Sequence, residues 1–359
     1  MALHDARLVY NLPVREIITW TDTHVTADNY LLYSVIAAVV PVLLYVALIY
    51  WVDQYEKEPA WLLSAAFIWG AVPAALLALF FNTVLSLPFY FLLSEPSAEM
   101  ASGGAIAPVV EEVTKGLVLF LILVVRRHEL DSPLDGIIYG AMVGMGFAMV
   151  ENILYYATYF GENGAAGWNE LVLVRGIIFG LNHALYSSLT GLGIALARMT
   201  RSWPARIAAP LLGLAAAITL HAIHNLSMFN GTLPAFITGL TFGWGGVLLT
   251  IAIIILALYQ ERRWMRHYLF EEINLGTLTA AEMQMVSSAT RRSRHRMRLL
   301  LKGELAEYRR AGSRFHRLSE LAYRKRHHAH FNDEGSATAI ASLRQAIVDL
   351  EGSGTELGA

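Results

Sequence analysis

Two adjacent glutamates and a lysine stand where an apolar chain should carry no charge. Glu111, Glu112 and Lys115 lie in the apolar run 106–125, which is close to the roughly 20 residues that cross a bilayer. Each such charge costs about 2.5 kcal/mol or more on insertion scales unless a polar interior receives it. Other apolar runs carry Glu151 and Asn152, then Arg175, Asn182 and His183, then His221, His224 and Asn225. Carboxylates with neutral imidazoles, and no thiolate, suit Zn²⁺ or a similar divalent ion, and an open coordination position lets bound water ionise near neutral pH. A nearby second carboxylate can take the proton and pass it to a leaving amine, which is the chemistry of peptide hydrolysis.

Local spacing supports one polar face. Glu111 and Lys115 are four apart and Glu112 is three from the same lysine, so one ammonium can hold both acids. His221 and Asn225 are also four apart. Glu151 follows Gly144, Gly146 and Phe147, where little bulk separates it from a neighbouring helix.

The elements that must position these residues follow from composition. The 359-residue chain is 55% hydrophobic and 16% charged, which excludes an ordinary soluble domain and points to an all-α polytopic membrane protein. It contains no cysteine, so disulfide, thiolate-nucleophile and thiolate-metal chemistry are excluded. Residues 1–29 form an amino-terminal extension without the pattern of a cleaved signal peptide. Seven apolar runs follow, at 30–52, 61–93, 106–125, 137–160, 171–197, 207–229 and 234–259, giving about seven transmembrane helices in a domain spanning 30–260. Gly136, Gly140 and Gly144 recur at four-residue spacing and would let the fourth and fifth helices approach closely. The remaining stretch, 261–359, is a helical tail whose end is small, acidic and expected to be partly disordered.

Charge sets the orientation. Sixteen of the 27 Lys and Arg fall between 261 and 330, whereas the loops 94–105, 161–170 and 230–233 contain none. The positive-inside rule therefore places the amino terminus outside and the tail in the cytoplasm. Between 291 and 326, basic clusters alternate with Leu, Met, Tyr and Phe, as in helices that lie on anionic lipid or bind a partner, or in a plain solvated extension. No nucleic-acid partner is expected. With these orientations Glu111 lies ~8 Å from the outer end of its span, Glu151 and His221 ~12 Å, and His183 ~18 Å. Acids and imidazoles from four helices thus meet in the outer half of the bilayer.

Intramembrane ionisable residues are functional candidates by default, yet two other classes fit the same residues. A non-catalytic scaffold would keep them as hydrogen bonds between helices, at ~0.6 kcal/mol each. A proton or cation transporter would use them as a relay, but the cytoplasmic halves of spans three to six carry almost no charge to complete a path. Other protease types are absent: there is no His-Glu-x-x-His, no Gly-x-Ser-x-Gly and no aspartate within a span.

Five motifs in order carry a family resemblance. They are Asp53-Gln54-Tyr55-Glu56-Lys57-Glu58-Pro59; Glu111-Glu112-Val113-Thr114-Lys115; Asp135-Gly136 leading to Gly144-Met145-Gly146-Phe147-Ala148-Met149-Val150-Glu151-Asn152; His183-Ala184-Leu185-Tyr186; and His221-Ala222-Ile223-His224-Asn225. Together they resemble the PrsW family of bacterial intramembrane proteases, related to the CAAX-prenyl-protease and bacteriocin-processing superfamily. The resemblance implies a multi-pass protein of the bacterial plasma membrane that cleaves in or near the transmembrane segment of another membrane protein, with a single-pass anti-sigma factor as the implied partner. It also implies that Glu111 and Glu112 include the water-activating base, that Glu151, His183 and His221 hold the metal or the water, and that Asn225 polarises the scissile carbonyl. A divalent metal such as zinc and a glutamate acting on water alone both remain open. For 53–59 a structural role is expected, with Pro59 starting the second helix and Glu56 and Glu58 meeting cytoplasmic arginines.

Overall fold

The computed structural model describes residues 26–355 apart from 54, 56, 332 and 333, so most of the amino-terminal extension, and Glu56, lie outside the described residues. All regular elements among the described residues are helical. The described residues divide into two compact units, one within 26–52 and 58–253, the other within 53–57 and 254–355.

The first unit contains the apolar runs. Its helices are α1 (Tyr30–Val52), α2 (Ala60–Leu92), α3 (Glu95–Ala101), α4 (Ala107–Val125), α5 (Pro133–Leu171), α6 (Asn182–Met199), α7 (Trp203–Asn230) and the first part of α8 (Leu233–Asn274). Among the described residues, five helical stretches are long and apolar enough to cross a membrane. Two of the seven runs are not counted separately for physical reasons. The fourth and fifth follow one another in the largely helical stretch Pro133–Met199, which kinks between them at Gly164 (φ 67°), and the third, α4, carries Glu111, Glu112 and Lys115.

α5 is the central helix. Ser132 and Asp135 form a reciprocal capping box with Pro133 in the first turn, which fixes where the helix begins. From Leu134 to Ala148 nearly every residue except Asp135 is buried, as expected of a helix with neighbours on all sides. The glycines explain how those neighbours come so close. A Cβ at Gly144 would enter the backbone of His183 on α6, and one at Gly146 the backbone of Phe67 on α2. Gly136 and Gly140 meet α6 in the same way, so the small-residue spacing does pack the fourth and fifth apolar runs together.

Besides a kink in α5 at Gly164 (φ 67°, ψ −166°), three π-helical turns interrupt the helices among the described residues. α2 contains a π-helical turn at Gly70–Ala74 that includes Pro73, where the missing N–H prevents a regular α-helical ladder. A second π turn, Ser102–Ile106, joins α3 to α4, so the region read as an outer loop is mostly helical. The third breaks the fifth apolar run: a π turn at Val172–Ile178 ends at Phe179, and α6 begins afresh at Asn182. Backbone carbonyls released near the break are met, with Trp244 Nε1 donating to Ile178 O at 3.0 Å and the Tyr45 hydroxyl to Gly176 O at 3.2 Å. Such satisfaction is required of any non-helical backbone within a membrane.

Glu58, expected to meet an arginine, is buried and accepts a hydrogen bond from the Tyr139 hydroxyl on α5. α2 begins directly after Pro59, as read from the sequence.

The second unit comprises the end of α8, α9 (Ala280–Val286), α10 (Ala289–Leu301), α11 (Leu305–Phe331) and α12 (Glu334–Thr355). Tyr55, Met265, Leu269, Val286, Leu318 and Ile347 are among the members of its own apolar core. Where small and acidic residues suggested disorder, the structure has α12. Its Ile340, Leu343 and Ile347 recur at helical spacing and pack into that core, a stabilisation that composition alone does not reveal.

Candidate active site

The polar residues of four helices converge in the first unit. Glu112, on α4, is fully enclosed and its carboxylate meets three side chains. Lys115 Nζ lies 2.8 Å from Oε1, His221 Nδ1 lies 2.9 Å from the same oxygen, and Ser187 Oγ donates to Oε2 at 3.3 Å. Lys115, itself fully buried, also lies 3.6 Å from Glu111 Oε2, 3.0 Å from His183 Nδ1 and 3.9 Å from the centre of the Phe147 ring. One ammonium therefore bridges both glutamates, as their spacing predicts.

These contacts fix the imidazoles. A carboxylate beside His221 Nδ1 keeps the proton there, so the Nε2 lone pair faces Glu111, whose Oε2 is 3.8 Å away. The His221 ring also stacks on Tyr186 at 4.8 Å and 18°. His183 contacts Lys115 through Nδ1 and turns its other ring nitrogen, Nε2, the opposite way. That nitrogen lies 2.8 Å from Oε2 of Glu151. Arg175 Nη2 is 2.9 Å from the same oxygen, and its Nε donates to Asn152 Oδ1 at 3.2 Å. Both contacts to Glu151 Oε2 are close charge pairings without hydrogen-bond alignment.

Among the described residues that line one cavity of about 50 Å³, four buried side-chain atoms make no aligned hydrogen bond: Glu111 Oε2, Glu151 Oε2, Asn182 Nδ2 and His224 Nδ1. Arg175, His183, His221 and Asn225 line the same cavity. A cavity this small and polar has room for water. Asn225 uses its side-chain amide to donate to Gly103 O at 2.8 Å, in the π turn before α4. Irregular helical turns are frequent where a helix serves a site.

The six residues singled out from the sequence thus fall in one neighbourhood but not in one role. Glu111, His183 and His221 each offer a ligand atom within 4.8 Å of the other two, an arrangement of acid and imidazole suited to a divalent cation. Glu151 sits beside His183 and pairs with Arg175, outside that group of three. Glu112 lines no part of the cavity, whereas Glu111 does. Arg175, His224 and Ser187 carry contacts that the motifs did not assign. The visible signal for Arg175 was a basic residue in an apolar run; Ser187 gave none, because a serine within a helix is usually silent.

Acids, imidazoles and a cation gathered around a buried cavity among apolar helices define an all-α, multi-pass membrane protein with a polar centre in its spanning region. The model of the PrsW family intramembrane metalloproteases matches residues 58–259, more than half of the sequence and all of this cluster. The chain belongs to the PrsW family. It is 32% identical over 161 residues to Protease PrsW of Geobacillus kaustophilus, covering 45% of this chain and 65% of that relative. Protease PrsW of Bacillus subtilis is 27% identical over 176 residues, 47% of this chain and 71% of the relative. That of Clostridioides difficile is 26% identical over 220 residues, 61% and 84% respectively. The match to the Geobacillus protein, like that to the Oceanobacillus iheyensis one, thus spans just under two thirds of the relative. No solved structure matches the chain.

Proposed function

We propose that the protein is an intramembrane endopeptidase that hydrolyses a peptide bond in or near the membrane-spanning segment of another membrane protein. The observation that carries this reading is the group Glu111, His183 and His221, all three lining one polar cavity, with Glu111 Oε2 making no aligned hydrogen bond. A purely structural cluster would satisfy its own acceptors, which weighs against the scaffold reading.

The residues divide the work as follows. Glu111, His183 and His221 are the proposed holders of a divalent cation such as Zn²⁺, which when bound acidifies water and polarises a carbonyl. Glu112 is a positioning residue: it keeps the His221 proton on Nδ1 and holds Lys115. Glu151 faces the cavity and is the proposed base. It takes one proton from water as the water oxygen bonds to the scissile carbonyl carbon, then returns it to the amine nitrogen as the C–N bond breaks. Arg175 holds the Glu151 carboxylate in place. Asn225 spends one amide hydrogen on Gly103 O and offers the other to the scissile carbonyl.

The proposed substrate class is a single-pass membrane protein, with an anti-sigma factor as the member that the family resemblance implies. The proposed location is a bacterial plasma membrane, amino terminus outside and tail cytoplasmic, supported by the loop charges. In the tail, exposed Leu301 and Leu305 beside Lys302 support contact with anionic lipid. The test of the function is to purify the chain, His183→Ala and His221→Ala in detergent, quantify bound metal, and assay cleavage of a panel of single-span membrane proteins. Stoichiometric metal and cleavage in the natural sequence, with both lost in the variants, is the expected result. Cleavage that persists in both variants contradicts it.

A further inference from the structure

In the first unit a larger cavity, of about 540 Å³, lies between the second half of α2 and α5 and shares Glu111, Glu151 and Tyr155 with the polar one. Along α5 its wall is Glu151, Tyr155, Thr158 and Glu162, at i, i+4, i+7 and i+11, which is one helical face. Glu162 therefore stands ~16 Å along the axis from Glu151, the proposed base. It lies just past the apolar run 137–160, which in the proposed orientation is the outer membrane surface. Tyr90, near the end of α2, lines the same cavity, and α2 also ends on the outer side.

The outer end of this wall thus presents a carboxylate and an aromatic ring, and both are accessible: Glu162 is exposed and Tyr90 is 45% exposed. The loops 94–105, 161–170 and 230–233 hold Glu95, Glu99, Glu162 and Glu170 and no Lys or Arg, so these loops offer Glu162 no cation of their own. An ammonium or guanidinium group gains from the carboxylate by charge and from the tyrosine face by a cation–π contact. An acidic or apolar side chain gains from neither.

We propose that Glu162 and Tyr90 form a specificity subsite for a Lys or Arg side chain on the outer flank of the substrate's membrane segment. This rests on the peptidase reading and adds to it a feature of the substrate. With the scissile bond at Glu151, a separation of ~16 Å corresponds to about five residues of extended chain or about eleven of helix. Basic residues concentrate on the cytoplasmic flank of membrane segments, so one on the outer flank is a mark that separates some single-span proteins from most others.

The test uses the full chain in a neutral detergent and a set of fluorescent synthetic single-span polypeptides. A single Lys is moved one position at a time along the outer flank of the probe, with Ala and Glu versions at each position. Binding is read by fluorescence anisotropy and cleavage by mass spectrometry, and each variant is scored by its own ratio of Lys to Ala probe, so a change in overall activity cancels. The expected result is one register at which the Lys probe binds about threefold tighter than the Ala probe, the scale of an exposed ion pair, with KM lowered in proportion. Glu162→Gln abolishes that ratio, Glu162→Lys transfers the preference to the Glu probe, and Tyr90→Leu reduces it. Glu95→Gln, at an exposed acid that does not line the cavity, keeps it. No register that favours Lys, or a preference that survives Glu162→Gln, overturns the proposal. A Lys preference in binding without any cleavage sinks the peptidase reading alone, and cleavage indifferent to the Lys sinks the subsite alone.

Discussion

Two buried ionic clusters among the described residues are built to opposite specifications. In the tail unit, Glu272 is fully enclosed and its carboxylate is saturated. Arg344 donates from Nη2 to Oε1 at 2.7 Å and from Nε to Oε2 at 3.0 Å, Lys325 donates to Oε1 at 2.6 Å, and Thr277 donates to Oε2 at 3.1 Å. The cluster of the first unit contains more charge, yet Glu111 Oε2 and Glu151 Oε2 meet their neighbours only as ion pairs without aligned hydrogen bonds, and His224 Nδ1 has no hydrogen bond, in residues that line a cavity. A carboxylate that has spent its lone pairs on neighbours holds a fold together. One whose oxygen is left without an aligned hydrogen bond in a low-dielectric interior, where an unmet polar atom is expensive, is poised for something that arrives.

The comparison breaks most visibly by mutation. Glu111→Gln and Glu151→Gln should each reduce cleavage of a single-span substrate by about 10²–10⁴-fold, the usual worth of a group that handles the proton or the charge, while folded yield stays the same. Glu112→Gln removes the carboxylate that orients His221, and should cost about 10–100-fold in metal affinity or activity. Its readout is metal titration against cleavage, since a residue acting through His221 moves both together.

The tail should respond in the reverse sense. Glu272→Gln leaves Lys325 and Arg344 with a neutral partner and should destabilise the tail by about 1–3 kcal/mol. That lies between exposed and fully buried pairs, because Arg344 is about one third exposed. Cleavage per folded molecule should not change, and hydrogen exchange around Ile347 reports the loss.

Acid should produce the same weakening more gradually. Burial works to raise the Glu272 pKa, but the hydrogen bonds from Arg344 and Lys325 outweigh it and hold the carboxyl below its ordinary range. Glu282 behaves likewise: burial is opposed by the Thr279 backbone N–H and by Arg314, with a net lowering. The unfolded tail therefore binds more protons than the folded one in mildly acidic solution, so its stability rises with pH. Protection of the tail core should be complete at neutral pH and decline as the solution falls through and below about pH 4, where unfolded carboxyls titrate. Glu272→Gln should flatten that decline.

How much of this was legible beforehand differs between the two regions for a physical reason. Charge in an apolar run is conspicuous because hydrocarbon penalises it, so Glu111, Glu112, Glu151, His183 and His221 stood out from composition alone, and spacing placed Lys115 against both glutamates. What spacing could not show was the break at Phe179–Leu181, because Arg175, Asn182 and His183 make 171–197 polar without marking where its helix stops. Nor could it separate Glu111, which faces the cavity, from Glu112, which does not; adjacent helical residues point about 100° apart, and which one faces inward depends on the partner helices. In the tail, Glu272 is one acid among many, and nothing in its neighbours announces that Lys325 and Arg344 will enclose it. The amphipathic pattern of α12 was likewise hidden among small residues until α11 supplied the surface that it packs on.

The most direct measurement is a side-by-side comparison of Glu111→Gln and Glu272→Gln in the purified full chain, recording cleavage of a single-span substrate and thermal unfolding in the same detergent. Loss of cleavage without loss of stability for Glu111→Gln, and loss of tail stability without loss of cleavage per folded molecule for Glu272→Gln, is the predicted outcome. Full cleavage by Glu111→Gln, or unfolding of the first unit on that substitution, would contradict the claim that the membrane cluster is held open for chemistry.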